Sequence, residues 1–222
     1  MEGILFMNKN LTELVFILDK SGSMSGLEND TIGGFNSMLQ KQKNEAGDAL
    51  ITTVLFDNTY ELLHDRVDIK NVNNITKNEY FVGGSTALLD AMGRTINYIG
   101  KTIADIDKDN HPSKVIFVII TDGMENSSRE FSAKKIKSMV EHQKTKYSWE
   151  FIFLGANIDA VKTAENIGID EDRTSNFCAD SEGIKLNYSS VCNFVSEMRM
   201  GKYVDSSWKS EIDKDYKKRG KK

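Results

Sequence analysis

The sequence predicts an α/β protein: an open, mostly parallel twisted sheet with helices on both faces and one short antiparallel edge strand. Three observations lead there. Short apolar runs rich in β-branched residues alternate with helical patterns along the chain. Three of the runs, Leu14–Leu18, Val115–Ile120 and Phe151–Leu154, are apolar throughout, as strands covered by helices on both faces require. One pair of runs, Ala49–Phe56 and Tyr60–Ile69, is joined by Asp57-Asn58-Thr59 alone, too short a link for a parallel crossover.

Taken in order, Leu14-Val15-Phe16-Ile17-Leu18 is the first strand, and Ile32, Phe35, Met38 and Leu39 share a face of the first helix. Ala49–Phe56 is the second strand and Tyr60–Ile69 its hairpin partner at the sheet's edge. Leu88, Leu89, Met92, Ile96, Ile99 and Ile103 line the second helix; Val115–Ile120 is a further buried strand. Phe131, Ile136, Met139 and Val140 mark a third helix, ahead of the strand Phe151-Ile152-Phe153-Leu154. Val161, Ala164 and Ile167 mark a short fourth helix, and Thr174-Ser175-Asn176-Phe177 is a candidate last edge strand. Ile184, Tyr188, Val191, Cys192, Val195 and Met198 mark a long final helix, on whose stripe Cys192 reads as a small hydrophobe rather than a nucleophile.

A length of 222 residues with 39% hydrophobic and 28% charged residues suits one domain with a real core. The expected division is an extension over 1–10, the domain over 11–200 and a charged tail over 201–222. A net charge of −4 does not indicate a nucleic-acid-binding surface. Two cysteines are too few for a disulfide scaffold, and apolar runs of five or six residues are too short to span a membrane. The opening MEGILFMNKN lacks the basic start and long apolar stretch of a signal peptide, so the expected location is cytoplasmic. From Lys209 onward the chain carries a net +4, leaving −8 on the rest; this end reads as frayed and solvated.

In such sheets ligands bind outside the carboxyl ends of the strands. Three segments fall there: Asp19-Lys20-Ser21-Gly22-Ser23-Met24, Gly83-Gly84-Ser85-Thr86 and Thr121-Asp122-Gly123. Together they offer two carboxylates (Asp19, Asp122) and three hydroxyls (Ser21, Ser23, Thr86), with no His or Cys nearby. That set suits a hard divalent cation such as Mg²⁺ or Mn²⁺, not zinc or copper. The alternation Asp-x-Ser-x-Ser matters because an extended turn points every second side chain the same way. Two carboxylates balance the ion's charge, and the neutral hydroxyls leave it electrophilic toward an anionic oxygen from outside. Taken singly, Asp19 and Asp122 read equally well as turn caps, and Ser85 or Thr86 as the N-cap of the next helix. A Thr can both cap and ligate. Ser25 reads as helping to start the first helix. His64, His111 and His142 are scattered and read as surface residues, while Trp149 and Trp208 suit packing or, for Trp208, a contact surface. Glu125 and Asn126 are expected to shape the rim.

The spaced combination Asp19-Lys20-Ser21-Gly22-Ser23, Gly84-Ser85-Thr86-Ala87-Leu88 and Thr121-Asp122-Gly123 resembles the metal-ion-dependent adhesion site of the von Willebrand factor type A domain. The resemblance covers roughly 11–200. It implies a Rossmann-like sheet in which Ser21 and Ser23 ligate the ion directly, while Thr86, Asp19 and Asp122 do so directly or through water. A partner protein's Asp or Glu would supply the last position. The family's antiparallel edge strand matches Tyr60–Ile69. With its N-terminus, the chain resembles a bacterial, single-domain member serving as an intracellular adaptor or complex subunit. Its function is then recognition rather than catalysis, without nucleic acid or membrane.

The competing class is a metal-dependent phosphatase or phosphotransferase of the haloacid dehalogenase type, which also places an Asp after its first strand. Those enzymes need a second acid two residues later, where Ser21 stands here. No Walker A pattern is present, and Gly22-Ser23-Met24-Ser25-Gly26 is not a nucleophile elbow.

Overall fold

The computed structural model describes residues 8–220. Its elements are β1 (Asn8–Asp19), α1 (Glu28–Lys43), β2 (Asp48–Phe56), β3 (Tyr60–Asp68), α2 (Leu88–Asp105), β4 (Pro112–Thr121), α3 (Ala133–Tyr147), β5 (Glu150–Gly155), α4 (Ala160–Asn166), β6 (Thr174–Asn176), α5 (Ser181–Arg199) and α6 (Ser210–Arg219). They build one six-stranded sheet in the order β3-β2-β1-β4-β5-β6. The β2–β3 pair is antiparallel and the other four pairings are parallel. This is the α/β sheet with one antiparallel edge that the sequence predicts. β1 reaches back to Asn8, into the stretch expected to be an extension.

The unbroken apolar runs are split by the pleat, because successive side chains point to opposite faces. Leu14, Phe16 and Leu18 of β1 join Ile116, Val118 and Ile120 of β4 beneath α1 and α5. Val15 and Ile17 join Val115, Phe117 and Ile119 on the other face, beneath α2, α3 and α4. Each face is a separate apolar layer, and the two layers make every central strand buried on both sides. Among the described residues no helix is long and apolar enough to cross a membrane.

Three details depart from the sequence reading. His64 is half-buried rather than free on the surface: its Nδ1 lies 3.0 Å from Thr53 Oγ1 and its ring lies parallel to that of Phe35, 6.5 Å away. Ser25 closes a single 3-10 turn over Gly22–Met24, and α1 starts only at Glu28. The end of the chain is not frayed over its described part. Residues 206–219 are helical, and Val204 and Ile212 are buried in the core. Trp208 packs edge-on against Phe194 at 5.5 Å and donates Nε1–H to the Asp172 carbonyl at 2.8 Å. Lys209 Nζ donates to the carbonyls of Glu171 and Thr174 at 2.6 Å, and Ser175 Oγ to Asp213 at 2.7 Å. α6 thereby lies along β6, and its charges face water or, as Arg219 does with Asp180 and Asp215, pair with neighbours.

Candidate metal centre

β1 and β4 are adjacent in parallel, with Leu18 opposite Ile120, so Asp19 and Thr121 end side by side. From there the chain leaves β1 toward α1 on one face and β4 toward α3 on the other. The divergence opens a crevice at this edge of the sheet, the place where open α/β sheets take ligands.

Backbone hydrogen bonds tie the rim loops together. Lys20 N donates to Phe56 O at 2.7 Å, Gly83 N to Lys20 O at 2.9 Å and Gly22 N to Gly84 O at 3.1 Å. Gly84 has φ +71°, and a Cβ there would come within 2.1 Å of Asn58 Oδ1, so glycine is required for this approach. Lys20, between Asp19 and Ser21, turns away: its Nζ pairs with Glu61 at 2.6 Å and covers the Phe81 ring at 4.7 Å.

The five oxygen-bearing residues singled out in the sequence converge in this crevice. Asp19 is buried; its Oδ1 accepts from Ser21 N at 2.7 Å and its Oδ2 from Thr121 Oγ1 at 2.5 Å. Ser21 Oγ is 3.0 Å from Ser23 Oγ and accepts from Thr86 Oγ1 at 3.0 Å. Asp122 is buried as deeply as Asp19, yet neither of its carboxylate oxygens has a hydrogen-bond partner. Burial, reinforced by the Asp19 charge, pushes the Asp122 carboxyl above the usual carboxylate range; Ser23 is near enough to ease this without meeting hydrogen-bond geometry. Burial likewise pushes Asp19 up, against the hydrogen bonds from Thr121 and Ser21. A Cβ on Gly123 would lie 2.9 Å from Ser23 Oγ and 3.1 Å from Thr86 Oγ1, so the absent side chain leaves space among the hydroxyls.

This donor set fits a hard cation. A buried carboxylate without a partner is costly unless something cationic completes it. Ligands about 2.0–2.1 Å from an octahedral ion stand roughly 2.9 Å apart on adjacent positions, close to the 3.0 Å hydroxyl separations here. Among the described residues no group of three or more His, Cys, Asp or Glu side chains is placed to share an ion. The rim set depends on hydroxyls instead.

Other residues position the five; the sequence reading expected Glu125 and Asn126 to shape the rim but gave no such role to Tyr80, Thr121 or Ser128. Tyr80 OH donates to the Asp19 carbonyl at 2.5 Å and Thr121 orients Asp19. Glu125 does more. Its Oε2 accepts from Leu89 N at 2.9 Å, and Ser128 Oγ accepts from Asp90 N at 3.0 Å, capping α2 from another loop. Asp90 returns the favour by accepting from the backbone of Arg129, Glu130 and Phe131 at 2.8–2.9 Å. Asn126 Oδ1 accepts from Thr86 N at 2.9 Å. Neither Ser85 nor Thr86 is the N-cap of α2: Ala87 holds that position and makes no side-chain cap bond. The only local trace of this arrangement is a Glu and an Asn just after Asp122.

No protein-family model matches the chain, and no curated protein is similar to it in sequence. Solved structures do share its fold. The chain is similar to a D319A mutant of the PilB minor pilin of Streptococcus sanguinis, with TM-score 0.61 and 12% identity over 92% of this chain and 65% of the pilin. It is similar to a von Willebrand factor type A protein of Catenulispora acidiphila, with TM-score 0.58 and 14% identity over 87% of this chain and 43% of the other. It is also similar to the manganese-loaded TRAP protein of Plasmodium vivax, with TM-score 0.57 and 14% identity over 80% and 72%. The chain thus spans 65% of the pilin and less than half of the Catenulispora protein. The fold is that of von Willebrand factor type A domains.

Proposed function

We propose that this chain is a protein-binding module of the von Willebrand factor A type. Its rim would hold one Mg²⁺ or Mn²⁺ through Asp19, Ser21, Ser23, Thr86 and Asp122, and use it to take a carboxylate from a partner protein. The observation that carries this reading is the buried, unpartnered Asp122 carboxylate beside the three hydroxyls. A solved structure of similar fold, the TRAP protein, is manganese-loaded, which supports a divalent ion on this fold. When bound, the ion would supply an electrostatic anchor for an external carboxylate, because three of its five protein ligands are neutral hydroxyls that leave it electrophilic.

The chain's own residues prepare that role. Thr121 and the Ser21 amide hold Asp19 in one orientation. Ser21 sits at the centre of the hydroxyl trio, and Gly123 keeps the space beside Ser23 and Thr86 open. On this reading the same residues serve recognition rather than catalysis. A phosphatase of the competing class needs an acid where Ser21 stands, and Ser21 is engaged with Ser23 and Thr86.

Thermal unfolding tests the reading. Wild type should gain stability with Mn²⁺ concentration, by about 2.7 kcal/mol at one hundred times Kd. Ser21→Ala with Ser23→Ala should unfold normally without metal and show no gain. An equal gain in both proteins would move the ion elsewhere.

A further inference from the structure

The rim carries two large apolar side chains out into water. Phe81 is 59% exposed and Met124 70% exposed. The other large hydrophobic residues exposed to this degree among the described residues are Tyr147, Met200 and Tyr203, which follow or end α3 and α5, away from the rim. Both rim residues are held by anchored neighbours. Tyr80, before Phe81, is buried with its hydroxyl on the Asp19 carbonyl, and Gly83, just beyond, donates to Lys20 O. The Lys20 ammonium covers one side of the Phe81 ring. Met124 lies between Gly123, which abuts Ser23 and Thr86, and Glu125, which caps α2. The two side chains therefore stand on different loops of the rim, Phe81 beside the Lys20 ammonium and Met124 next to Gly123. Exposed apolar side chains carried on anchored backbone beside a polar centre are the pattern of a contact surface.

The charges nearby narrow the occupant. Lys20 is neutralised by Glu61, and Asp57 lies against Gly84, where a Cβ would be 3.2 Å from its Oδ2. A run of acids would find the Lys20 ammonium already paired and would meet Asp57; a single acid between apolar residues would not. We propose that Phe81 and Met124 are the apolar half of a docking surface for a partner-protein segment in which one Asp or Glu is flanked by large apolar side chains. This deepens the metal-anchor reading and rests on it.

The test uses a displayed library of random peptides around one fixed Asp, selected on the whole chain with Mn²⁺ and eluted with EDTA. Wild type should enrich peptides with Leu, Ile, Phe or Met within a few positions of the Asp. Synthetic versions should bind Phe81→Ser/Met124→Ser roughly tenfold or more weakly, while that variant keeps wild-type Mn²⁺ affinity by calorimetry. EDTA-eluted peptides without the apolar bias, or with equal affinity for the variant, would overturn the docking surface and leave the metal anchor standing. Enrichment of peptides that EDTA does not release would overturn both.

Discussion

Asp122 and Gly123 show how much of the site rests on single side chains. A carboxylate buried beside a second one raises its own pKa and weakens the fold unless a cation completes it. Gly123 contributes by having no side chain at all. We expect Gly123→Ala to put a methyl 2.9 Å from Ser23 Oγ and 3.1 Å from Thr86 Oγ1, displacing the hydroxyls rather than the backbone. The variant should fold, with a thermal midpoint near wild type, and bind Mn²⁺ at least about tenfold more weakly, a change of roughly 1.4 kcal/mol. Unchanged affinity in a calorimetric titration would mean that the hydroxyls are not ligands. That these five residues gather at one rim was legible in the sequence because Asp19, Ser21, Ser23 and Asp122 stand at or just after strand ends, the Asp-x-Ser-x-Ser alternation is local, and Thr86 closes the Gly83-Gly84-Ser85 segment ahead of α2. Tyr80 was not, because its hydroxyl reaches Asp19 across sixty-one residues of chain and no spacing marks it.

At the scale of elements, the rim loops are stitched together by α2's unpaired amides. Glu125 satisfies Leu89 N and also accepts from Ser127 N and Ser128 N at 3.0 and 2.8 Å. Glu125→Ala should cost about 1–2 kcal/mol in a denaturant titration and weaken Mn²⁺ binding as the Asp122 loop loses its hold on α2. An equal loss of stability with intact metal affinity would make Glu125 a cap alone. Sequence patterns look for caps just before a helix, so one supplied from a loop thirty-six residues away is invisible to them. The hairpin of β2 and β3 carries a second consequence. Burial lowers the His64 pKa below its ordinary 6.5, so the unfolded chain takes up a proton there that the folded chain refuses. This contribution to stability is full above about pH 6.5 and is lost as the pH falls below it. His64→Gln should flatten that part of a stability-against-pH curve; an unaltered slope would place the titration elsewhere.

For the molecule as a whole, the sheet and its order were legible because buried strands announce themselves as continuous apolar runs, and the pleat then assigns each residue to one of two faces. The C-terminal segment was misread for the opposite reason. Its pattern is dominated by charge, and its docking depends on a few isolated anchors, chiefly Trp208, Ile212 and the Lys209 ammonium that caps the carbonyls of Glu171 and Thr174. Helix α6 covers the edge that β6 would otherwise present to another chain. Ile212→Ala should therefore destabilise the protein by about 2–5 kcal/mol, as a core truncation does; a change within about 0.5 kcal/mol, as at an exposed site, would return α6 to the status of a tail.

The fold gathers two carboxylates and three hydroxyls at one crevice, and the claim that this crevice is built for a cation is tested most directly by calorimetric titration of Mg²⁺ and Mn²⁺ into wild type and Asp122→Ala in parallel. We expect one ion per chain for wild type, no binding for the variant, and an apo thermal midpoint for the variant no lower than wild type, since an unpaired buried carboxylate has been removed. Equal binding by the two proteins would contradict the site.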